Sequence, residues 1–192
     1  MRTKNFDETA VLDKALTLFR KQGYKVTTPA ELVDYLGISR SSLYNTFGDK
    51  RSLYIKALQR YRMLTTNGLE KVVNDSKAAL PSIKKMFSLV VEECLEEDMP
   101  RGCFLINSLV ELDAHDSELA EIVNGSMGDT KNAFSTLVRR GQETGEINKL
   151  LNAEAMADYL TNCVSGISIS TKAGADKLKC ESIVKNSIAI LG

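Results

Sequence analysis

Between Thr28 and Lys50 the chain reads TPAELVDYLGISRSSLYNTFGDK. Arg40 can donate two parallel hydrogen bonds to a guanine edge, or pair with a phosphate. Ser41 and Ser42 are short, so the backbone that carries them can come close to a partner and still hydrogen-bond. Asn45 has the amide that reads an adenine. Tyr44 and Lys50 point outward, toward the reach of phosphate oxygens. Thr28 adds a hydroxyl at a helix start, where free N–H groups suit an anion. These residue types at this spacing suit holding a nucleic acid by its backbone and base edges.

Bond-making chemistry finds no comparable set. The chain has 1 histidine and 4 cysteines. His115 sits in DAHD between Asp113 and Asp116 and is expected to be a solvated loop residue. Cys94, Cys103, Cys163 and Cys180 are scattered, without C-x-x-C spacing, so no metal site is expected. No Ser-His-Asp order, phosphate-binding loop or dinucleotide fingerprint appears. No catalytic residue and no cofactor is therefore assigned, and an enzyme is not expected. A helical adaptor that uses its two short helices for protein contact is the remaining rival to a DNA reader.

Charge separates these readings. The chain has 25 basic and 25 acidic residues, but residues 1–60 hold 11 of the basic and only 6 of the acidic ones. A basic end on an acidic body directs that end at a polyanion. No apolar run approaches the roughly 18 residues of a membrane span. The start, MRTKNFDETA, lacks the apolar core of a signal peptide, so a cytoplasmic protein is expected.

Helices must position these groups. Leu12, Ala15, Leu16 and Phe19 recur at helical spacing, predicting a first helix over about 7–22 with Gly23 as its stop. Thr28 and Pro29 open a second helix, with Leu32, Val33 and Leu36 buried and Gly37 at its end. Ser39 caps a third, to about Phe47, whose Leu43 and Phe47 face inward. Asp49 caps a fourth, expected to end near Asn67. The remainder reads as helices over about 81–97, 103–113, from a Ser117 cap to Gly141–Gly145 with a bend at Gly125 and Gly128, 152–171 and 175–191. The acidic run Glu92, Glu93, Glu96, Glu97 and Asp98 is expected to be a solvated helix end. The fold class is all-α. An N-terminal helix-turn-helix three-helix bundle occupies 1–50, helix 4 connects over about 50–67, and a helical body fills 68–192.

Thr27-Thr28, LGIS at Leu36–Ser39, SLY at Ser42–Tyr44, Phe47, and Lys50 followed by Leu53 together resemble the TetR/AcrR family of transcriptional regulators. The resemblance covers about 7–60 at motif level and the whole chain loosely. It implies that helix 3 is the recognition helix. Arg40, Ser41 and Ser42 then match base-facing positions, and Thr28, Tyr44 and Lys50 phosphate-contacting ones. Asn45-Thr46 replaces an aromatic or His pair common after the family's LY, which leaves the role of those two positions open. The body is implied to bind a ligand and to dimerise.

Within that body, the apolar stripes offer Met86, Phe87, Val90, Leu105, Phe134, Val138, Tyr159 and Cys163 as walls of a ligand pocket. Cys103 opens a helix after Arg101-Gly102. There the helix dipole would lower its pKa, with Lys172 as a candidate second cation nearby. The last two helices carry small and aliphatic residues, including Ala155, Ala157, Val164, Gly166, Ile167, Ile183, Val184, Ile188 and Leu191, and are implied to form a homodimer interface. The expected function is a ligand-responsive repressor released from a palindromic double-stranded DNA operator by a small-molecule inducer. The alternative is a repressor that senses electrophiles or oxidants through Cys103.

Overall fold

The structure, a computed structural model, describes residues 6–111 and 116–192. The expectation for His115, and for Asp113 beside it, lies outside the described residues. Those residues form nine helices and no strand. The first four are α1 (Glu8–Gln22), α2 (Pro29–Leu36), α3 (Arg40–Phe47) and α4 (Lys50–Asp75). The rest are α5 (Ala79–Cys94), α6 (Phe104–Glu111), α7 (Ser117–Thr144), α8 (Ala153–Lys172) and α9 (Lys177–Ala189). None is long and apolar enough to cross a membrane.

Local chemistry sets most helix starts. Asp7 caps α1, accepting from the Thr9 N–H at 2.8 Å. Thr28 and Glu31 form a reciprocal capping box around Pro29. Ser39 accepts from the Ser42 N–H at 3.1 Å, and Asp49 from the Ser52 N–H at 2.7 Å. Gly37 ends α2 at φ 69°, a left-handed conformation that costs glycine little.

Several boundaries differ from expectation, α5 ending at Cys94 and not near 97 among them, and three of the differences trace to a distant partner or a neighbouring cap. α4 continues through Gly68 to Asp75. Arg62 and Thr66 bond Asp129 of α7, at 2.8 and 2.9 Å, and Leu69, Val72 and Val73 pack on the body's core. α5 begins at Ala79 with no side-chain cap of its own. Glu146, far along the chain, accepts from the Ala79 and Leu80 N–H groups instead, both at 3.1 Å. α7 is capped by Asp116 rather than Ser117. It runs through Gly125 and Gly128 as one helix, and the Arg62 guanidinium fills the space that a Cβ at Gly125 would occupy.

Two apolar cores result. The first joins α1 to α4 through Phe19, Leu32, Leu43 and Leu53, but also takes in Phe104, Leu105, Leu119 and Ile122 from α6 and α7. The second binds α5, α7, α8 and α9 around Ile83, Phe87, Phe134, Leu137 and Leu160. The N-terminal unit therefore shares its core with the body.

Candidate nucleic-acid interface and buried cavity

Leu43 and Phe47 anchor α3 in the first core, which leaves the opposite face outward. Arg40, Ser41 and Asn45 are exposed there, and Ser42 and Tyr44 are half-buried beside them. The Ser39 hydroxyl donates to the Ser42 Oγ at 2.9 Å and lies 3.0 Å from the Ser41 Oγ. The helix start is thus held by short hydroxyl contacts with little side-chain bulk. The Arg40 guanidinium lies 5.7 Å from the centroid of the Tyr44 ring, within cation–π range.

Two of the expected phosphate contacts are committed elsewhere in this state. Lys50 was expected to point outward. Instead its ammonium lies 4.3 Å from the Tyr24 ring centroid and the residue is half-buried. Burial lowers its pKa, while Glu111 and Glu31 pull the other way. Thr28 is exposed, but its N–H and its hydroxyl both donate to the Glu31 carboxylate, at 2.7 and 2.8 Å. Those bonds hold the Glu31 carboxyl below its ordinary range. The Thr28 donors are therefore already occupied by that carboxylate.

The body holds a cavity of about 90 Å³ between α4, α5, α6, α7 and α8. Met86, Val90, Leu105 and Phe134 line it, as expected. Phe87 and Val138 do not; both are fully buried in the second core. Tyr159 and Cys163 do not line it either; Tyr159 is 38% exposed, and its hydroxyl meets Cys163 and Ser187 of α9. Helical spacing finds a stripe but cannot say which members face a void.

Sequence reasoning missed Tyr61 and Glu93, which also line the cavity. Glu93 is not the solvated residue its acidic run suggested. Tyr61 donates to its carboxylate, and Arg20 of α1 lies 3.5 Å from the same oxygen. Burial raises its pKa, only partly offset by Tyr61 and Arg20. Every third or fourth residue of a helix end can turn inward, and nothing in a run of acids marks which one does.

Cys103 lines the cavity beside Cys94 and Tyr61, its sulfur 3.6 Å from the tyrosine oxygen. Its expected low pKa is reversed. Burial raises it most, Glu93 raises it further, and the N–H groups of Ile106 and Leu105 pull it down by less. The neighbouring Cys94 is pushed up to about 12, chiefly by burial. The cations expected to help are engaged elsewhere: Arg101 donates to the Ala175 carbonyl at 3.2 Å, and Lys172 to the Asn107 side chain at 2.6 Å. The thiolate needed for fast reaction is disfavoured here, so the thiol-sensing alternative loses its electrostatic basis.

Residues 11–57 match the family model described as bacterial regulatory proteins, tetR family, and residues 79–185 match that of the tetracyclin repressor-like C-terminal domain. The chain belongs to the TetR family. It is a DNA-binding transcriptional regulator by that membership. It is 29% identical over 191 residues to the uncharacterized HTH-type transcriptional regulator YezE of Bacillus subtilis (strain 168), covering 99% of this chain and 98% of YezE. It is 27% identical to the HTH-type transcriptional repressor ComR of Escherichia coli (strain K12), covering 98% of this chain and 90% of ComR. The fold matches that of the TetR family regulator CifR, in a cysteine mutant complexed with 26-bp operator DNA. The TM-score is 0.83 at 21% identity, over 98% of each chain. It also matches reduced NemR of E. coli, with a TM-score of 0.83 at 14% identity over 96% of this chain and 97% of that one. The TetR match at 11–57 takes in the whole of α2 and α3, and the body match spans α5 to α8.

Proposed function

We propose that this TetR-family chain is a repressor that binds a palindromic operator as a homodimer and leaves it when a small molecule occupies the body's cavity. Residues 1–50 form the reader, α4 joins it to the body, and 68–192 bind effector and partner copy. Binding alone carries the activity, in the cytoplasm where the DNA is. Arg40, Ser41 and Ser42 face base edges, with Asn45 beside them. Thr28, Tyr44 and Lys50 hold phosphates. The observation that carries this reading is the outward polar face of α3, presented by a unit whose core is shared with α6 and α7. A shift in the body therefore reaches the reader through packed side chains. ComR is itself a repressor, and CifR was captured on its operator, which supports the same reading here. An effector acts only if it binds the DNA-free arrangement better than the DNA-bound one.

The test is selection of DNA from a random duplex pool, followed by affinities for the selected site. A two-fold symmetric site with half-sites about 34 Å apart or wider is expected. Arg40→Ala should cost about 1–3 kcal/mol on that site and relax preference at one position per half-site. An equal loss on every sequence makes Arg40 a phosphate contact. Failure to enrich any sequence removes the operator reading.

A further inference from the structure

Among the residues lining the cavity, Glu93 is the one with a carboxyl, ammonium or guanidinium side chain. Both of its described partners, Tyr61 and Arg20, meet the same oxygen, Oε1. Oε2 has no partner among the described residues. Arg20 is shared: it lies 3.5 Å from Glu93, 2.9 Å from Glu96, and 5.8 Å above the Tyr61 ring. Arg20 belongs to α1, in the reader, and Glu93 to α5, in the body, so this contact ties one to the other at the cavity wall.

The rest of the polar wall has a consistent sense. Thr65, Thr130 and Thr161 each donate their hydroxyl proton to the carbonyl four residues back, at 2.8, 3.0 and 2.8 Å. Ser165 does the same at 3.3 Å. The Ser168 oxygen accepts the Cys103 N–H at 2.7 Å. With the protons of the three threonines and Ser165 turned into their own helices, those four hydroxyls present lone pairs as their remaining capacity. The wall is therefore rich in acceptors, with Met86, Val90, Leu105 and Phe134 supplying its apolar part. An acidic ligand meets Glu93 as a like charge. A neutral alcohol brings one donor. A primary ammonium brings three donors and the opposite charge. Size sets the other limit: a dry cavity of about 150 Å³ takes benzene, and this one is about 90 Å³.

We propose that the effector is a small primary alkylammonium whose charge engages Glu93 and draws it from Arg20, loosening α1 from α5. This rests on the reading that the body's cavity controls the reader, and it names the class of molecule that does so. The alkyl chain lies among the apolar residues, and the ammonium meets the carboxylate and hydroxyl oxygens. Once Glu93 is paired with the ligand, Arg20 keeps the Tyr61 ring and one carboxylate among the described residues, that of Glu96, which lies closer to solvent. The two DNA-binding units then lose one of the contacts that sets their position.

The probes are n-butylammonium, which has fewer heavy atoms than benzene, and n-butanol, its neutral counterpart. Each is titrated by calorimetry into the full chain and into Glu93→Gln, and its effect on affinity for the selected DNA is measured. Butylammonium should bind the unmodified chain more tightly than butanol. Glu93→Gln should weaken the amine by about ten- to hundredfold, the range of a charge-assisted hydrogen bond, and leave butanol unchanged. The amine should lower DNA affinity in the unmodified chain only. Equal binding of butanol, undiminished amine binding by Glu93→Gln, no binding of either, or bound amine without loss of DNA affinity would each overturn the proposal. The first two comparisons do not depend on DNA, and the DNA selection is made without amine, so the two readings fail separately.

Discussion

Lys50 is held over the Tyr24 ring with Glu31 and Glu111 near enough to attract it. Long side chains can swing several ångströms at a cost of order 1 kcal/mol, so its place in the free protein does not fix its place on DNA. The field of a phosphate backbone is stronger than that of two partly solvated carboxylates. Lys50→Ala is therefore expected to weaken binding to all DNA sequences alike and to reduce the salt dependence by about one unit of slope. Affinity measured at several salt concentrations checks this; an unchanged slope would keep Lys50 on Tyr24 and off the DNA. Arg40 is the opposite case. Its position at the start of a capped helix was legible from Ser39 and Gly37 alone, because caps and turns are decided by residues two to four apart. Glu93 was not legible, since its inward turn depends on Tyr61 and Arg20, which are 32 and 73 residues away.

At the scale of elements, the same division explains which helices matched expectation. α1, α2 and α3 begin and end on local signals, and they fall where their caps stand. α5 does not, because its orphan N–H groups are satisfied by Glu146 from the turn after α7. That carboxylate also accepts from Thr144 at 3.0 Å, and its pKa is lowered first by the Ala79 N–H and then by that of Leu80. Glu146→Ala should destabilise the fold by about 0.5–1 kcal/mol at neutral pH, the lower part of the range for helix caps, since the group is largely solvated. A carboxylate with a depressed folded pKa stabilises above its unfolded pKa, and that contribution is lost as pH falls through the folded value. The difference between the two proteins should therefore shrink as pH falls below the usual Glu range. Urea unfolding at one protein concentration checks both parts. A penalty that stays constant with pH would mean that Glu146 acts by packing and not by charge. α4 poses the matching question at its far end, where Thr65-Thr66-Asn67-Gly68 looks like a stop. The helix persists there because α7 supplies Asp129 and the second core supplies apolar contacts.

For the whole molecule, the open question is what covers the outer faces of α8 and α9. Ala157, Ile167, Ile188 and Leu191, read as interface residues, are buried inside the chain's own core. The exposed apolar residues are others: Ile169 at 61%, Leu178 at 76% and Ile190 at 47%. Along α8 the exposed line runs Ala155, Tyr159, Asn162, Gly166 and Ile169, at helical spacing, with the small Ala155 and Gly166 among larger side chains. Helices with such faces can approach closely, and a monomer gains nothing by presenting them to water. A homodimer through these two helices would cover them, with each residue meeting its counterpart region around a two-fold axis. Leu178→Glu would then bury two unpaired carboxylates, a cost of several kcal/mol per dimer. The expected outcome is a monomer by light scattering at micromolar concentration. The reader should stay folded, yet affinity for the two-fold site should fall toward that for a single half-site. A dimer of unchanged stability in Leu178→Glu would move the interface off α9. A monomer that still binds the full site as tightly would mean that the two readers do not act as a pair.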